Sequence, residues 1–247
     1  ERLIADPGRP LFDRATGGLY PPGSVFKMVV AAAALQEGKV TVDSQFDDTG
    51  SYVAGGYEVA NFGDQSYGVH DFAEATISSI NTTYAKVGVD VGATTLARYA
   101  GAFGLGESLP WALGGKTGVF PDPGTMDTAH VAQVSFGQGQ LLVSPFEMAL
   151  VASGIANGGR IMAPYLVEEI RDYRGSVIEK TRPRVWRQAI SEDTAAVLKD
   201  LMVRVVAEGT GTNAAISGVN VAGKTGTAEV DEGETHAWFI GFAPAEA

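Results

Sequence analysis

One stretch near the start of the chain restricts the possible folds more than any other. Residues 28–35 contain no polar side chain and are rich in alanine, which favours an α-helix. The run is apolar on nearly every face, so this helix should be buried in the centre of the protein. Pro22 and Gly23 end any preceding helix. The sequence therefore predicts a central helix that begins at Ser24 and runs to about Gln36.

The first turn of this helix carries two reactive side chains. Ser24 and Lys27 are three residues apart and therefore share one helix face. A hydroxyl beside an amine at the positive end of a helix can act as a nucleophile and its base. The alternative is a capping serine followed by a surface lysine. A buried helix favours the first interpretation, because a buried lysine needs a partner.

A second polar group lies at Ser79-Ile80-Asn81, between two segments that look helical. Small polar side chains compete with the backbone for hydrogen bonds and favour helix ends and turns. Asn81 can simply cap the following helix. The functional alternative is that Ser79 relays a proton and Asn81 holds a substrate amide in a cleft.

A third motif, Lys224-Thr225-Gly226-Thr227, lies in a predicted strand. Alternation along a strand places Lys224 and Gly226 on one face, and Thr225 and Thr227 on the other. Glycine on a strand lets a ligand approach closely. Backbone N–H groups of such a strand can bind an extended peptide or stabilise an oxyanion.

The composition excludes several classes of function. The 247 residues carry a formal net charge of −11, which argues against a nucleic-acid partner. No cysteine is present, so disulfides, zinc–thiolate sites and cysteine catalysis are excluded. The three histidines are well separated along the chain and do not indicate a metal cluster. The sequence predicts neither a metal nor a cofactor.

A nucleotide-binding alternative comes from residues 218–225, which match the phosphate-loop pattern G-x-x-x-x-G-K-[ST]. That motif needs a preceding strand and a following helix. Here a predicted helix ending near Gly209 precedes it, the residues after Lys224 begin a helix poorly, and Asp231 and Glu232 would repel phosphate. A second K-T-G at Lys116 lies among glycines and prolines and reads as a loop.

The remaining helices are predicted mainly in the middle of the chain and the strands mainly at its end, which indicates an α+β fold with a helical insertion. Helices are predicted in pieces over 70–104, with breaks near 79–81 and at 92, from Ser144 to 157–159, and from Ser191 to near Gly209. Strands are predicted within 39–68 and over 165–170, 176–179, 219–230 and 236–242, and residues 105–143 read as irregular.

The three motifs, S-x-x-K, S-x-N and K-T-G in that order, resemble the set of the penicillin-binding proteins. Three longer segments resemble class B members, in particular the actinobacterial penicillin-binding protein A type. They are Tyr20-Pro21-Pro22-Gly23-Ser24, Phe136-Gly137-Gln138-Gly139 and Lys224-Thr225-Gly226-Thr227-Ala228-Glu229. The resemblance covers nearly the whole chain. It implies one transpeptidase domain over 1–247 with the penicillin-binding protein/β-lactamase-like fold. An antiparallel sheet with helices would occupy about 1–40 and 160–247, and a mostly helical part about 41–159.

The resemblance also implies catalytic roles. Ser24 would be the acylated nucleophile, and Lys27 would deprotonate it, which requires a neutral amine. Ser79 would relay the proton to the leaving group. Asn81 would hold both the substrate amide and Lys27.

Substrate-binding roles follow from the third motif by the same resemblance. Lys224 and Thr225 would orient the substrate carboxylate, and Gly226 would leave room for the acyl chain. The backbone N–H groups of Ser24 and Thr227 would form the oxyanion hole.

The implied function is D,D-transpeptidation of peptidoglycan stem peptides, with covalent inhibition by β-lactam antibiotics, in cell shape and division. The resemblance further implies a location on the extracytoplasmic face of the cell membrane and a cell-wall glycosyltransferase or divisome proteins as partners. The chain shows no membrane anchor, and the family's outer strands and last helix would lie before Glu1 and after Ala247.

Two departures from the family pattern bear on the alternatives. Ile80 stands where the class A β-lactamase motif has Asp, and no omega-loop glutamate motif is evident. Both features favour a transpeptidase over a β-lactamase. A β-lactamase or β-lactam sensor of the same fold and a non-catalytic scaffold remain alternatives.

Overall fold

A buried helix over Lys27–Gln36 forms the centre of the fold, as the apolar run predicts. All residues from Lys27 to Ala34 are buried, and the alanines allow neighbouring helices to approach closely. The structure is a computed structural model and describes residues 3–4, 6–110, 114–229 and 235–246.

The order of elements mixes helices with short antiparallel strands. In the described ranges the helices are α1 (Arg14–Gly17), α2 (Lys27–Gln36), α3 (Phe72–Ile77), α4 (Asn81–Val91), α5 (Ala93–Ala102), α6 (Thr128–Ser135), α7 (Pro145–Ala156) and α8 (Glu192–Glu208). The strands are β1 (Gln45–Asp48), β2 (Ser51–Ala54), β3 (Tyr57–Ala60), β4 (Gly68–Asp71), β5 (Arg160–Met162), β6 (Glu169–Arg171), β7 (Val177–Lys180), β8 (Val185–Gln188), β9 (Ala222–Glu229) and β10 (Thr235–Phe242).

The strands pair antiparallel, two by two, in the part of the chain that the structure describes: β1 with β4, β2 with β3, β5 with β8, β6 with β7 and β9 with β10. The β9–β10 pair runs from Glu229 opposite Thr235 to Ala222 opposite Phe242. Helix α8 packs on β9 and α7 packs on β10, while α2 contacts α4, α5 and α8. This arrangement places the start of α2 against β9.

Local signals at two helix starts are confirmed. Ser144 accepts a hydrogen bond from the Glu147 N–H, and the Glu147 side chain accepts one from the Ser144 N–H, so the predicted capping box is present. Ser191 caps α8 through the Thr194 N–H. These caps satisfy N–H groups that would otherwise lack partners in the first turns of α7 and α8.

Several boundaries were predicted wrongly. Residues 105–143 contain helix α6, capped by Asp127, which the surrounding glycines and prolines obscure. The strand predicted at 165–170 begins only at Glu169, and β5 and β8 were not predicted. These strands have three or four residues each, too few for an alternating pattern.

The last two strands agree better with prediction. The strand predicted over 219–230 begins at Ala222, while Val230, Asp231 and Glu232 lie outside the described residues.

The division into an α/β part and a mostly helical part remains a prediction. Both parts contain helices and strands, and β1 to β4 lie within 45–71 of the mostly helical part.

Candidate active site

The three motifs meet at one cleft of about 700 Å³. Ser24 comes from the turn before α2, Ser79 and Asn81 come from the α3–α4 junction, and residues 225–227 come from β9. Residues 57–65, parts of 133–139 and Thr210 also line it. Side chains that are distant in sequence therefore share one cavity.

A tight turn brings Ser24 to the cleft. Gly23–Phe26 forms a single 3-10 turn that leads directly into α2, so the predicted helix has a tighter first turn than expected. The Gly23 backbone packs on β9, since a β-carbon at Gly23 would lie 2.5 Å from the Thr227 carbonyl oxygen. Ser24 and Thr227 are thus neighbours, and their backbone N–H groups remain the predicted oxyanion hole.

Lys27, the first residue of α2, lies beneath the cleft and is fully buried. Its Nζ donates hydrogen bonds to the Ser79 carbonyl oxygen and to Asn81 Oδ1, both at 2.7 Å, and to Ser79 Oγ at 3.2 Å. Among the described residues no carboxylate forms an ion pair with it. Burial, and next the positive charge of Lys224, hold the pKa of Lys27 well below its ordinary value.

A second buried lysine, Lys224, lies across Ser79 from Lys27. Its Nζ donates to Ser79 Oγ at 2.8 Å and to the Thr225 carbonyl oxygen at 3.0 Å. Burial lowers the pKa of Lys224 to about 7. Ser79 Oγ thus accepts from both amines and links them, which suits a proton relay.

Ser79 has an uncommon backbone conformation. Its φ of +59° lies in the left-handed region, where residues with a β-carbon are strained. This conformation ends α3 and lets both the Ser79 carbonyl oxygen and Oγ face Lys27. Asn81 then begins α4, so the predicted break between the helices is confirmed.

Ser24 and Lys27 lie close together in sequence at the start of α2, but no direct hydrogen bond joins their side chains in the described structure. Within the described chain, Lys27 Nζ hydrogen-bonds Ser79 and Asn81 but not Ser24 Oγ. Catalytic hydrogen bonds are often long before substrate binds and tighten in the complex. The role of Lys27 as the base for Ser24 therefore stays a prediction.

The K-T-G-T strand alternates as expected. On β9, Lys224 and Gly226 are buried, whereas Thr225 is half-buried and Thr227 exposed. That Gly226 leaves room for the acyl chain stays a prediction, and the packing gives a further reason for a glycine at this position. A β-carbon there would lie 3.0 Å from the Val25 nitrogen and 3.1 Å from the Pro22 carbonyl oxygen. Gly226 therefore makes room for the turn before α2.

The nucleotide-binding alternative does not fit the structure. A phosphate loop places its lysine at the start of a helix, with the amine free to reach a phosphate. Lys224 instead lies within a strand, buried on Ser79. The second K-T-G lies in an irregular segment, as predicted, and Lys116 is exposed there.

Two residues that support the site were assigned no role in the sequence analysis. Asp48 is buried and accepts hydrogen bonds from Asn61 Nδ2 at 2.8 Å and from Thr82 Oγ1 at 2.6 Å. Burial raises the pKa of Asp48, but these and two backbone N–H donors outweigh it, so the pKa is lowered. The carboxylate ties the β1–β4 region to the first turn of α4. No local pattern marks it.

Gly137, in the F-G-Q-G motif, is the second supporting residue. Its carbonyl oxygen accepts a hydrogen bond of 2.9 Å from the Gly23 N–H. A β-carbon at Gly137 would lie 1.9 Å from the Gly23 carbonyl oxygen. The motif therefore braces the turn that carries Ser24. The closely spaced glycines of this motif were the sequence signal for such a close backbone contact.

A family model described as the penicillin binding protein transpeptidase domain matches residues 3–247. The chain belongs to the penicillin-binding protein transpeptidase family. The resemblance inferred from the three motifs is thereby confirmed.

Individual relatives of this transpeptidase-family chain agree. It is 37% identical over 258 residues to the peptidoglycan D,D-transpeptidase PbpA of Mycolicibacterium smegmatis, covering all of this chain and 51% of that protein. The D,D-transpeptidase domain of a peptidoglycan glycosyltransferase from Eggerthella lenta superposes with a TM-score of 0.93 at 36% identity, covering 99% of this chain and 62% of that one.

A third comparison concerns a covalent complex. Penicillin-binding protein A from M. tuberculosis, as an imipenem acyl-enzyme complex, superposes with a TM-score of 0.91 at 35% identity, covering 99% of this chain and 57% of that one. These likenesses confirm the α+β transpeptidase fold. The chain spans about half the length of the curated relatives it matches.

Bracing by Gly137 leads to a prediction for this transpeptidase domain. In Gly137→Ala, the β-carbon must displace the Gly23 carbonyl oxygen, and alanine must adopt a φ of +83°. We expect the free energy of unfolding to fall by about 3 kcal/mol or more, from strain and overpacking together. Urea unfolding measures the loss.

Gly139→Ala is the matched control, because Gly139 also has a positive φ, of +73°. Its β-carbon would meet only the Gln133 side chain, 3.1 Å from Oε1 and 3.5 Å from the Gln133 β-carbon, and no backbone atom within 4 Å among the contacts of the described residues. We expect a loss of about 1–2 kcal/mol from backbone strain alone. Equal losses in the two variants would contradict the bracing role.

The buried lysines predict a pH-dependent stability. Lys224 has an ordinary pKa of 10.5 when unfolded and about 7 when folded, so between these values the unfolded chain binds more protons. Stability should therefore rise as pH increases from 7 towards 10, by up to about 1.4 kcal/mol per pH unit from this group. Lys224→Met should flatten the slope measured by urea unfolding at pH 7, 8 and 9.

Lys116→Met serves as the control for that measurement. Lys116 belongs to the other K-T-G motif but is exposed. Its removal should leave the slope of stability against pH unchanged. A slope that stays the same in Lys224→Met would show that this amine is not deprotonated by folding.

Proposed function

We propose that this protein is a peptidoglycan D,D-transpeptidase that cross-links stem peptides through an acyl-enzyme on Ser24. The observation that carries the proposal is the buried Lys27, which has a lowered pKa and hydrogen bonds to Ser79 and Asn81. A neutral amine three residues from a cleft serine is the arrangement that activates a hydroxyl.

In the acylation step, Ser24 Oγ attacks the carbonyl carbon of the penultimate D-Ala, and Lys27 takes the hydroxyl proton. The N–H groups of Ser24 and Thr227 donate to the oxyanion. The C–N bond then breaks. The terminal D-Ala leaves with the proton that Lys27 returns through Ser79 Oγ, which lies 3.2 Å from Lys27 Nζ.

In the second step, an amine of a neighbouring stem peptide attacks the ester carbonyl carbon. The new amide forms as the Ser24 ester bond breaks, and the amine proton returns to Ser24 Oγ through Lys27. Asn81 holds the substrate amide with its side-chain amide, while its Oδ1 keeps Lys27 in place.

Recognition of the donor peptide rests on its terminal carboxylate. Lys224 has a pKa of about 7 in the empty cleft and lies beside Thr225. An anionic ligand stabilises the protonated amine and raises that pKa, so binding takes up a proton. The ring carboxylate of a β-lactam has the same charge, which explains how such drugs would imitate the substrate.

The wider setting of the activity is part of the proposal. Relatives carry names such as peptidoglycan D,D-transpeptidase and stage V sporulation protein D. We infer action on the extracytoplasmic face of the cell membrane, with a cell-wall glycosyltransferase or divisome proteins as partners. No helix in the described ranges has the length and apolarity to cross a membrane.

Incubation of the full-length protein with penicillin G, followed by intact-mass measurement, tests the proposal. Ring opening by Ser24 adds the whole drug, so we expect a mass increase of one penicillin that persists for hours. Rapid loss of the adduct with release of opened drug would support a β-lactamase. Absence of any adduct would support a non-catalytic scaffold.

A further inference from the structure

One hydroxyl outside the three motifs contacts the predicted carboxylate site. Thr210 lines the same cleft as Ser24 and Thr225. Its Oγ1 lies 2.6 Å from Thr225 Oγ1, a short hydrogen bond in which either group can be the donor. Thr210 is two residues beyond the end of α8 and belongs to no sequence motif singled out above.

The backbone around Thr210 is fixed on two sides. The Thr210 N–H donates to the carbonyl oxygen of Ile77, the last residue of α3, at 3.3 Å. The Gly211 N–H donates to the Val205 carbonyl oxygen in α8 at 2.9 Å. Because Ile77 is two residues before Ser79, the turn joins α8 to the junction that carries the second motif.

The contact with Thr210 restricts the side-chain rotamer of Thr225. A threonine on a strand can place its hydroxyl or its methyl group towards a ligand, depending on its rotamer. The bond to Thr210 fixes the hydroxyl side of Thr225 towards the cleft. Two hydroxyls share one hydrogen bond and use one proton, so the other proton remains available to a ligand.

We propose that Thr210 is a positioning residue for substrate binding, which holds the Thr225 hydroxyl so that it donates to the carboxylate of the donor peptide or of a β-lactam. The inference rests on the proposed function and adds a residue to it. Thr210 donates to Thr225 Oγ1, and Thr225 Oγ1–H then points to the carboxylate beside Lys224. In the empty cleft Thr210 is exposed, so a bound ligand would exclude water from this pair and strengthen it.

The test compares two ligands on Thr210→Val, which keeps the shape of threonine but lacks the hydroxyl. Second-order acylation rate constants are measured on the full-length protein with penicillin G and with its methyl ester, in which the carboxylate is masked. We expect the rate constant for penicillin G to fall by about threefold to tenfold, the worth of one hydrogen bond. The rate constant for the ester should change by less than about twofold, because it lacks the charged acceptor.

Two further variants complete the design. Thr210→Ser keeps a hydroxyl and should restore the preference for the free carboxylate. Thr212→Val is the matched control: Thr212 is exposed in the same turn and its side chain makes no hydrogen bond to any described residue. It should leave both rate constants unchanged.

The outcomes separate the inference from the function it builds on. An equal fall for penicillin G and its ester in Thr210→Val would show a merely structural role and overturn the inference, as would no change with either ligand. A wild-type protein that forms no adduct would overturn the proposed function, and the inference with it.

Discussion

Replacement of Ser24 by alanine is expected to abolish the penicillin G adduct completely. In the proposed mechanism the acyl-enzyme bond forms to Ser24 Oγ, and the variant has no oxygen there for the drug to acylate. The variant should fold normally, because Ser24 is only half-buried at the mouth of the cleft and its hydroxyl makes no hydrogen bond to the described residues. Intact mass after overnight incubation, together with a thermal melt, measures both expectations.

Ser217→Ala is the control for this substitution. Ser217 is exposed in the turn before β9, away from the cleft. It should be labelled as fast as the wild type. An adduct of undiminished yield on Ser24→Ala would locate the nucleophile at another residue, and the proposed mechanism would then be wrong.

Lys27→Met is expected to have the second largest effect. Methionine has a similar length and suits a buried position, but it cannot accept the Ser24 proton. Loss of a general base costs about 10²–10⁴-fold in rate, so labelling by penicillin G should slow by that factor. The melting temperature should stay within about 4 °C of the wild type, because water in the cleft can replace the lost donor to Ser79 and Asn81.

The pH dependence of labelling gives an independent measurement on the wild type. In the proposed mechanism neutral Lys27 is the active form, so the rate should rise with pH through the pKa of this amine. Deprotonation of Lys224 above about pH 7 should then lower the rate again, because the carboxylate site loses its positive charge. Because burial and Lys224 hold that pKa well below 10.5, the rise should be complete before pH 10. Lys39→Met, at an exposed lysine, should keep the wild-type profile. A rate that still rises through pH 10 would show that Lys27 is charged in the free protein.

Much of the central architecture could be predicted from local pattern. The apolar run after Gly23 predicts α2, and Ser144 with Glu147 predicts the start of α7; both are confirmed. The motif order then indicated the family and, through it, that Ser24, Ser79 and Lys224 face one another. Local pattern alone left simple alternatives for each motif, such as a cap or a surface lysine.

What could not be predicted depends on contacts between distant segments. Helix α6 has only eight residues between irregular stretches, so its periodicity is too short to recognise. The contact between Gly23 and Gly137 and the bond between Thr210 and Thr225 join segments far apart in sequence. The packing of Gly226 against Val25 went unpredicted for the same cause, since this neighbour could be identified only from the folded structure.

The close packing of three glycines has an evolutionary consequence. Gly23, Gly137 and Gly226 bring backbones so near that a side chain at Gly137 would collide with the turn that carries Ser24, and one at Gly226 would lie in tight contact with Val25 and Pro22. Resistance to a β-lactam requires a changed binding site that still accepts the natural peptide. Such resistance substitutions are therefore expected at side chains that line the cleft, such as Tyr57 and Gln138. Substitutions at the three glycines are not expected among resistant variants.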